Sequence, residues 1–262
     1  MTNAMESHKL LDPSELGTKE YWDNAYSREL LNYAEDTEDE GTIWFAESNA
    51  EDAILGQLSR LEEDGYLRRH ERIASESESH AEQRPITASR FVDLGTGNGH
   101  LLFALEEEDD DGESWSGEKV GVDYSETSIQ LAKRIAAQKG TESIRFDQWD
   151  LLNSQPGDWL GSGFDMALDK GTFDAISLMP LAEGNDVHPC TTYRSKVVPL
   201  IKPGCFLCIT SCNWTKDELL GWLAPADGEL ELYSEAKYPT FTFGGQTGQS
   251  IVTLVLRKKN SF

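Results

Sequence analysis

Cysteine is scarce in this chain: Cys190, Cys205, Cys208 and Cys212 are the four among 262 residues. No second Cys or His pair stands at zinc-ligand spacing, and Cys205-Phe-Leu-Cys208 falls in an expected strand, where residues three apart point to opposite faces. The pattern speaks against a structural zinc. No metal site is expected, and the thiols read as buried and free. Positive charge is scarce as well, with 23 Lys and Arg against 47 Asp and Glu and a formal charge of -24. Such a surface disfavours nucleic acid and anionic membrane, leaving two uses for the charge: plain solubility, or steering of a basic partner. No apolar run approaches the roughly 20 residues of a membrane span, and Met1 to Asp12 lacks the basic-then-apolar order of an export signal. A monomeric cytoplasmic protein is expected.

Against that background one stretch stands out, Phe91-Val-Asp-Leu-Gly-Thr-Gly-Asn-Gly99. A short apolar run ending in an acid, three glycines at alternate positions and then His100 to Leu105 predict a buried parallel strand turning sharply into a helix. Glycines let the backbone approach a ligand and take positive φ, and the following helix turns unpaired N–H groups towards it. The spacing is Gly-x-Gly-x-Gly, whereas the dinucleotide fingerprint is Gly-x-Gly-x-x-Gly. Asp93, two residues before the first glycine, would repel a pyrophosphate but hold a cationic amino acid. Downstream, Lys119-Val-Gly-Val-Asp123 ends a second strand in an acid placed to accept both hydroxyls of a ribose. The longer spacing between the two acids reflects an acidic insertion from Glu106 to Glu118.

Two more strands end in acids. Ser143 to Phe146 leads to Asp150, and Gly163 to Leu168 leads to Asp169. In an open parallel sheet the cleft lies beyond the carboxyl ends of the strands, so Asp93, Asp123, Asp150 and Asp169 should share one edge. Further strands are expected at Cys205 to Thr210, Leu230 to Glu235 and Ser250 to Arg257. A helix at Tyr193 to Leu200 and a capped one from Thr215-x-x-Glu218 complete the carboxyl half. The amino half begins with about 14 residues lacking order. Amphipathic helices follow within 18–67, and a flexible, Ser/Glu-rich insertion at 68–89. Everything from residue 15 onward reads as one domain.

Asp-Leu-Gly-Thr-Gly-Asn-Gly99 with Val-Asp123-Tyr124-Ser resembles motif I and the ribose-binding acid of class I S-adenosylmethionine-dependent methyltransferases. More specifically, five stretches resemble the elongation factor 1-alpha lysine methyltransferases of the seven-β-strand type. They are Glu15 to Trp22, Asp93 to Gly99, Asp169-Lys-Gly-Thr-Phe-Asp-Ala-Ile-Ser177, Ile209-Thr-Ser-Cys-Asn-Trp-Thr-Lys216 and Phe243 to Ser250. The resemblance implies a Rossmann-like α/β fold, a seven-stranded sheet with helices on both faces and an antiparallel last strand. It implies S-adenosylmethionine as cofactor and elongation factor 1-alpha as protein substrate. Asp93, Gly95, Thr96, Gly97, Asn98, Gly99, Asp123, Tyr124, Asp150, Leu151 and Asp169 would bind the cofactor, with Asp150 accepting from the adenine amine and the Leu151 N–H facing a ring nitrogen. Trp44, Phe45, Thr172, Phe173, Asn213 and Phe243 would contact the substrate, and Asp169 and Trp214 would serve the reaction.

Alternatives stay open from the residues alone. Trp44-Phe45 is either a core plug or part of a lid. Asp150 is an adenine acceptor or a turn cap, and Asp169 orients the substrate amine, binds cofactor or braces its loop. Trp214 is a channel wall or a core residue. A small-molecule methyltransferase and a non-catalytic scaffold with an acidic binding face are the competing functions.

Overall fold

The computed structural model describes residues 10–71, 87–107, 112–141, 143–181, 184, 187–239, 241–243, 246–248 and 250–260. The strands are β1 (Phe91–Leu94), β2 (Lys119–Asp123), β3 (Arg145–Gln148), β4 (Phe164–Lys170), β5 (Ile201–Ser211), β6 (Leu230–Glu235), β7 (Phe241–Phe243), β8 (Gln246–Gly248) and β9 (Val252–Lys258). Seven of them form one sheet in the order β3-β2-β1-β4-β5-β9-β6, and β7 and β8 pair as a separate hairpin. β1 to β5 run parallel. β9 lies antiparallel between β5 and β6, which is the reversed last strand that the resemblance implies.

The helices are α1 (Lys19–Glu35), α2 (Ala50–Glu63), α3 (His100–Ala104), α4 (Glu126–Lys139), α5 (Thr172–Ser177), α6 (Cys190–Val197) and α7 (Lys216–Leu223). Because side chains alternate along a strand, the two faces of the sheet make separate cores. Phe91, Met166 and Leu168 pack with Leu58 of α2, Leu102 of α3 and Ile129 of α4. Val92, Leu94 and Ala167 pack with Phe173 of α5, Tyr193 of α6 and Leu219 of α7. α1 begins where Thr18, in extended backbone, accepts a hydrogen bond from the Tyr21 N–H at 3.3 Å. The Thr215–Glu218 capping box starts α7 as its spacing predicts.

Several boundaries differ from those expected. β3 starts two residues later, and β5 begins at Ile201, running through Lys202-Pro203-Gly204 instead of turning there. The pairing register with β4 shifts between Phe164 and Met166, so an irregular ladder absorbs the proline and Gly204 at φ 77. α6 starts at Cys190 and passes into a 3-10 turn at Val198–Leu200, where Pro199 has no N–H to continue the helix. The β7–β8 hairpin was not anticipated. Most of the 68–89 insertion and residues 1–9 lie outside the described residues.

Candidate functional site

Strand order reverses between β1 and β4, and the crevice at their carboxyl ends is where an open α/β sheet receives a ligand. The loop Gly95–Gly99 crosses it. Gly95, Gly97 and Gly99 have φ of 69, 58 and 85, a region L side chains avoid. The loop is also gripped closely: a Cβ on Gly97 would lie 2.7 Å from the Tyr26 hydroxyl, and one on Gly95 2.0 Å from Thr172 Oγ1. Beyond it opens a cleft of about 220 Å³ lined by Gly95, Thr96, Gly97, Asp123, Tyr124, Asp150 and Leu151, with Trp44, Phe45, Thr172, Asp174 and Asn213 on its other walls.

Asp123 is buried at the end of β2. Its carboxylate accepts the Gly97 N–H at 3.1 Å and the Ser125 N–H at 2.8 Å, tying motif I to the second strand. Burial raises its pKa, and these hydrogen bonds pull it back. Asp150 is the turn residue its sequence allowed, placed at the cleft. It accepts the Leu152 and Asn153 N–H groups at 2.9 and 3.0 Å as a turn residue, and it still faces the cleft.

The geometry departs from several of the expectations. Asp169 does not line the cleft; it is buried beneath α5, accepting the Thr172 N–H at 2.9 Å, the Phe173 N–H at 3.1 Å and the Tyr193 hydroxyl. Burial pushes its carboxyl up to about 7, and its use is to brace the β4–α5 turn. Asp93 likewise lies one layer below the cleft surface, its carboxyl pushed up to about 6 by burial, with Thr96 and the Lys170 charge opposing the shift. Asn98 lines the cleft but spends its amide on the chain before α2, Nδ2 donating to Glu40 O at 3.0 Å and Thr42 O at 3.4 Å. Trp214 and Phe173 are core residues: Trp214 is 5% exposed, its indole N–H donates to Ser177 Oγ at 3.1 Å, and its ring packs 6.2 Å from that of Phe173. Phe243 lies in β7, where the backbone alone is described.

The Asp169 to Ser177 and Ile209 to Lys216 stretches are joined to one another. Asp174 of α5 accepts from Ser211 Oγ and, at 2.8 Å, from the Cys212 N–H, while Ser211 Oγ accepts from the Asn213 and Trp214 N–H groups at 3.2 Å. Asp174 itself faces the cleft, with its pKa raised by burial and lowered by these partners. Only this acid of the Asp169-Lys-Gly-Thr-Phe-Asp174 stretch reaches the opening.

The sequence reading missed the contribution of the amino terminus. Trp22 and Tyr26 of α1 line the cleft, and Trp22 donates its indole N–H to Leu16 O at 2.7 Å. A Cβ on Gly17 would lie 2.1 Å from the Leu178 carbonyl oxygen, and Ser14 N–H donates to the same oxygen at 3.1 Å, so Glu15-Leu-Gly17 is seated on the end of α5. The signal was present in Leu-Gly-Thr-Lys-Glu-Tyr-Trp22, a glycine and a tryptophan flanking a helix cap, in a stretch that carried the family resemblance but was given no site role.

Residues 87–260 match the model of the methyltransferase domain family. Over 251 residues the chain is 37% identical to protein-lysine N-methyltransferase EFM4 of Saccharomyces cerevisiae, covering 95% of this chain and 97% of that one. It is 36% identical to EEF1A lysine methyltransferase 2 of Homo sapiens over 94% of this chain and 88% of the relative. The chain belongs to this protein-lysine methyltransferase family. A TehB-like SAM-dependent methyltransferase from Corynebacterium glutamicum superposes with a TM-score of 0.51 at 17% identity, over 90% of this chain and 98% of the other, and shares the fold.

The cofactor expected for the family fits what lines the cleft. The left-handed Gly95–Gly99 loop leaves an approach that side chains would close, Asp123 offers acceptor lone pairs beside it, and Trp149, Leu151 and Ile176 supply apolar walls for a flat ring. Among the described residues no group of three His, Cys, Asp or Glu could hold a metal, and no helix is long and apolar enough to cross a membrane.

Proposed function

We propose that this protein transfers a methyl group from S-adenosylmethionine to a lysine of translation elongation factor 1-alpha. The observation that carries the proposal is its identity of 35–38% with the curated relatives over nearly the whole chain, including relatives named for lysine methylation of EEF1A. The formal charge of -24 disfavours nucleic acid and suits a basic protein surface; we take the enzyme to act as a cytoplasmic monomer.

When bound, the cofactor would supply an electrophilic methyl on a sulfonium, the C–S bond breaking to leave S-adenosylhomocysteine as a neutral lysine amine forms the N–C bond. The residues of the cleft position its parts. The Gly95–Gly97 backbone cradles the amino-acid end, Asp123 accepts from the ribose with Tyr124 beside it, and Asp150 with the Leu151 N–H receives the adenine edge. Asp93 acts from below the loop as a fixed negative charge. On the other wall, Trp44, Phe45, Thr172 and Asn213 border the route of the lysine methylenes.

Asp174 takes the role first given to Asp169, because it is the carboxylate of that stretch at the cleft surface. A carboxylate there attracts the lysine ammonium and orients it; the surrounding aromatics strip its water and lower its pKa, so that the proton is released to solvent before attack. Asp169 and Trp214 serve by holding the turn and helix that present Asp174.

The test is incubation of the full chain with methyl-labelled S-adenosylmethionine and purified elongation factor 1-alpha. Label should appear on the factor and disappear when one of its lysines is replaced by arginine. Label confined to low-mass compounds, or none at all, would overturn the proposal.

A further inference from the structure

Lys170 is the one cation in the β4–α5 stretch, and the reaction sketched above gives it no task. Its Nζ donates to the Trp44 carbonyl at 3.2 Å and lies 3.5 Å from Glu51 Oε1, with its side chain 13% exposed. Glu51 is in turn held by His100, whose Nδ1 is 2.7 Å from the other carboxylate oxygen. Burial alone would raise the Glu51 pKa, but His100 and Lys170 outweigh it and keep the group ionised. The residue that follows β4 completes the arrangement. Gly171 has φ 90, and a Cβ there would lie 3.2 Å from the Phe45 ring.

Phe45 itself has φ 64, an unfavourable conformation for an aromatic residue that persists only where surroundings impose it. The imposition is visible. Glu29 accepts the Thr42 N–H at 3.0 Å, Asn98 holds the Glu40 and Thr42 carbonyls, Lys170 holds the Trp44 carbonyl, and the Phe45 ring fills the space beside Gly171. The result is that the Trp44 ring packs 5.1 Å from Trp22 as a wall of the cleft.

We infer that Lys170-Gly171 is a receptor for Trp44-Phe45, and that Lys170 is a positioning residue fixing the Trp44 ring as the wall that encloses bound cofactor. The inference rests on the methyltransferase reading for its cofactor arm only. Lys170 borders the cleft, but its amine is turned to a backbone carbonyl and a carboxylate, so that it acts through Trp44.

Two measurements on the full chain test this. Without any ligand, acrylamide quenching of the Trp44 emission, isolated by subtracting a Trp44→Phe counterpart, should rise about twofold in Lys170→Met and remain at the wild-type level in Lys170→Arg, which retains a charged donor. With S-adenosylhomocysteine as titrant, Lys170→Met and Trp44→Ala should each weaken binding about tenfold, and the double variant should be no weaker than either alone, because one residue works through the other. Additive losses, or unchanged Trp44 quenching in Lys170→Met, would overturn the inference. If wild type fails to bind S-adenosylhomocysteine, the cofactor reading falls, while the quenching arm still decides whether Lys170 seats Trp44.

Discussion

Trp44, between Ile43 and Phe45, and Trp214, between Asn213 and Thr215, are both expected at the rim of the cleft, yet they end in different environments. Trp44 is a half-buried wall of the cleft, held by its backbone carbonyl. Trp214 is buried among Phe173 and Trp222 with its indole N–H satisfied by Ser177. The polar neighbours of Trp214 serve the interior: Ser211 and Asp174 satisfy the backbone N–H groups of Cys212, Asn213 and Trp214 where the chain leaves β5. A cluster of polar residues around a tryptophan therefore marks a buried polar joint as readily as a binding rim. What separates the two is burial: Trp214 is enclosed by the core, whereas Trp44 is half-buried along the cleft.

The sharpest test of that contrast is Trp214→Ala, which should cost roughly 3–5 kcal/mol in denaturant unfolding, as for other buried aromatics. A loss below about 1 kcal/mol with methyl transfer abolished would return Trp214 to the rim. Ser177→Ala strands the buried indole N–H and should cost about 1–3 kcal/mol, with cofactor affinity per folded molecule unchanged. Trp44→Ala is expected to behave in the opposite way: its unfolding free energy should move by no more than about 1 kcal/mol, while labelled methyl transfer falls about tenfold.

The smallest effect is in pH dependence. Burial holds the Asp169 carboxyl at about 7, well above its unfolded value near 3.8, so the folded chain binds that proton more tightly than the unfolded chain does. Its contribution to stability is full below the unfolded pKa and is withdrawn as pH rises through about 7. The stability gap between wild type and Asp169→Asn should accordingly be widest near the acid end of the folded range and narrow towards neutrality. A gap independent of pH would show that Asp169 ionises normally.

Much of the fold was legible because local chemistry and topology agree. Alternating apolar strands ending in acids, and glycines at positive φ, admit few other structures, and the sheet order follows from right-handed crossovers. Within the site, Gly95, Gly97 and Asp123 were legible for the same reason: their types are dictated by backbone geometry close at hand. Asp169 and Asp174 were harder to tell apart, since both sit near the end of β4 and only the three-dimensional turn decides which faces the cleft. The seating of Trp44 was illegible because its partner, Lys170, is 126 residues away and grips a carbonyl, a group every residue carries. Gly17 escaped notice in the same way, its need set by the Leu178 backbone across the molecule.

Lysine methylation of the factor is read by mass spectrometry of purified elongation factor 1-alpha after incubation with the full chain and S-adenosylmethionine. The account predicts one or more methyl increments on a single lysine-bearing peptide, absent when Asp174→Ala replaces the wild type. An unmodified factor alongside measurable binding of S-adenosylmethionine would contradict it.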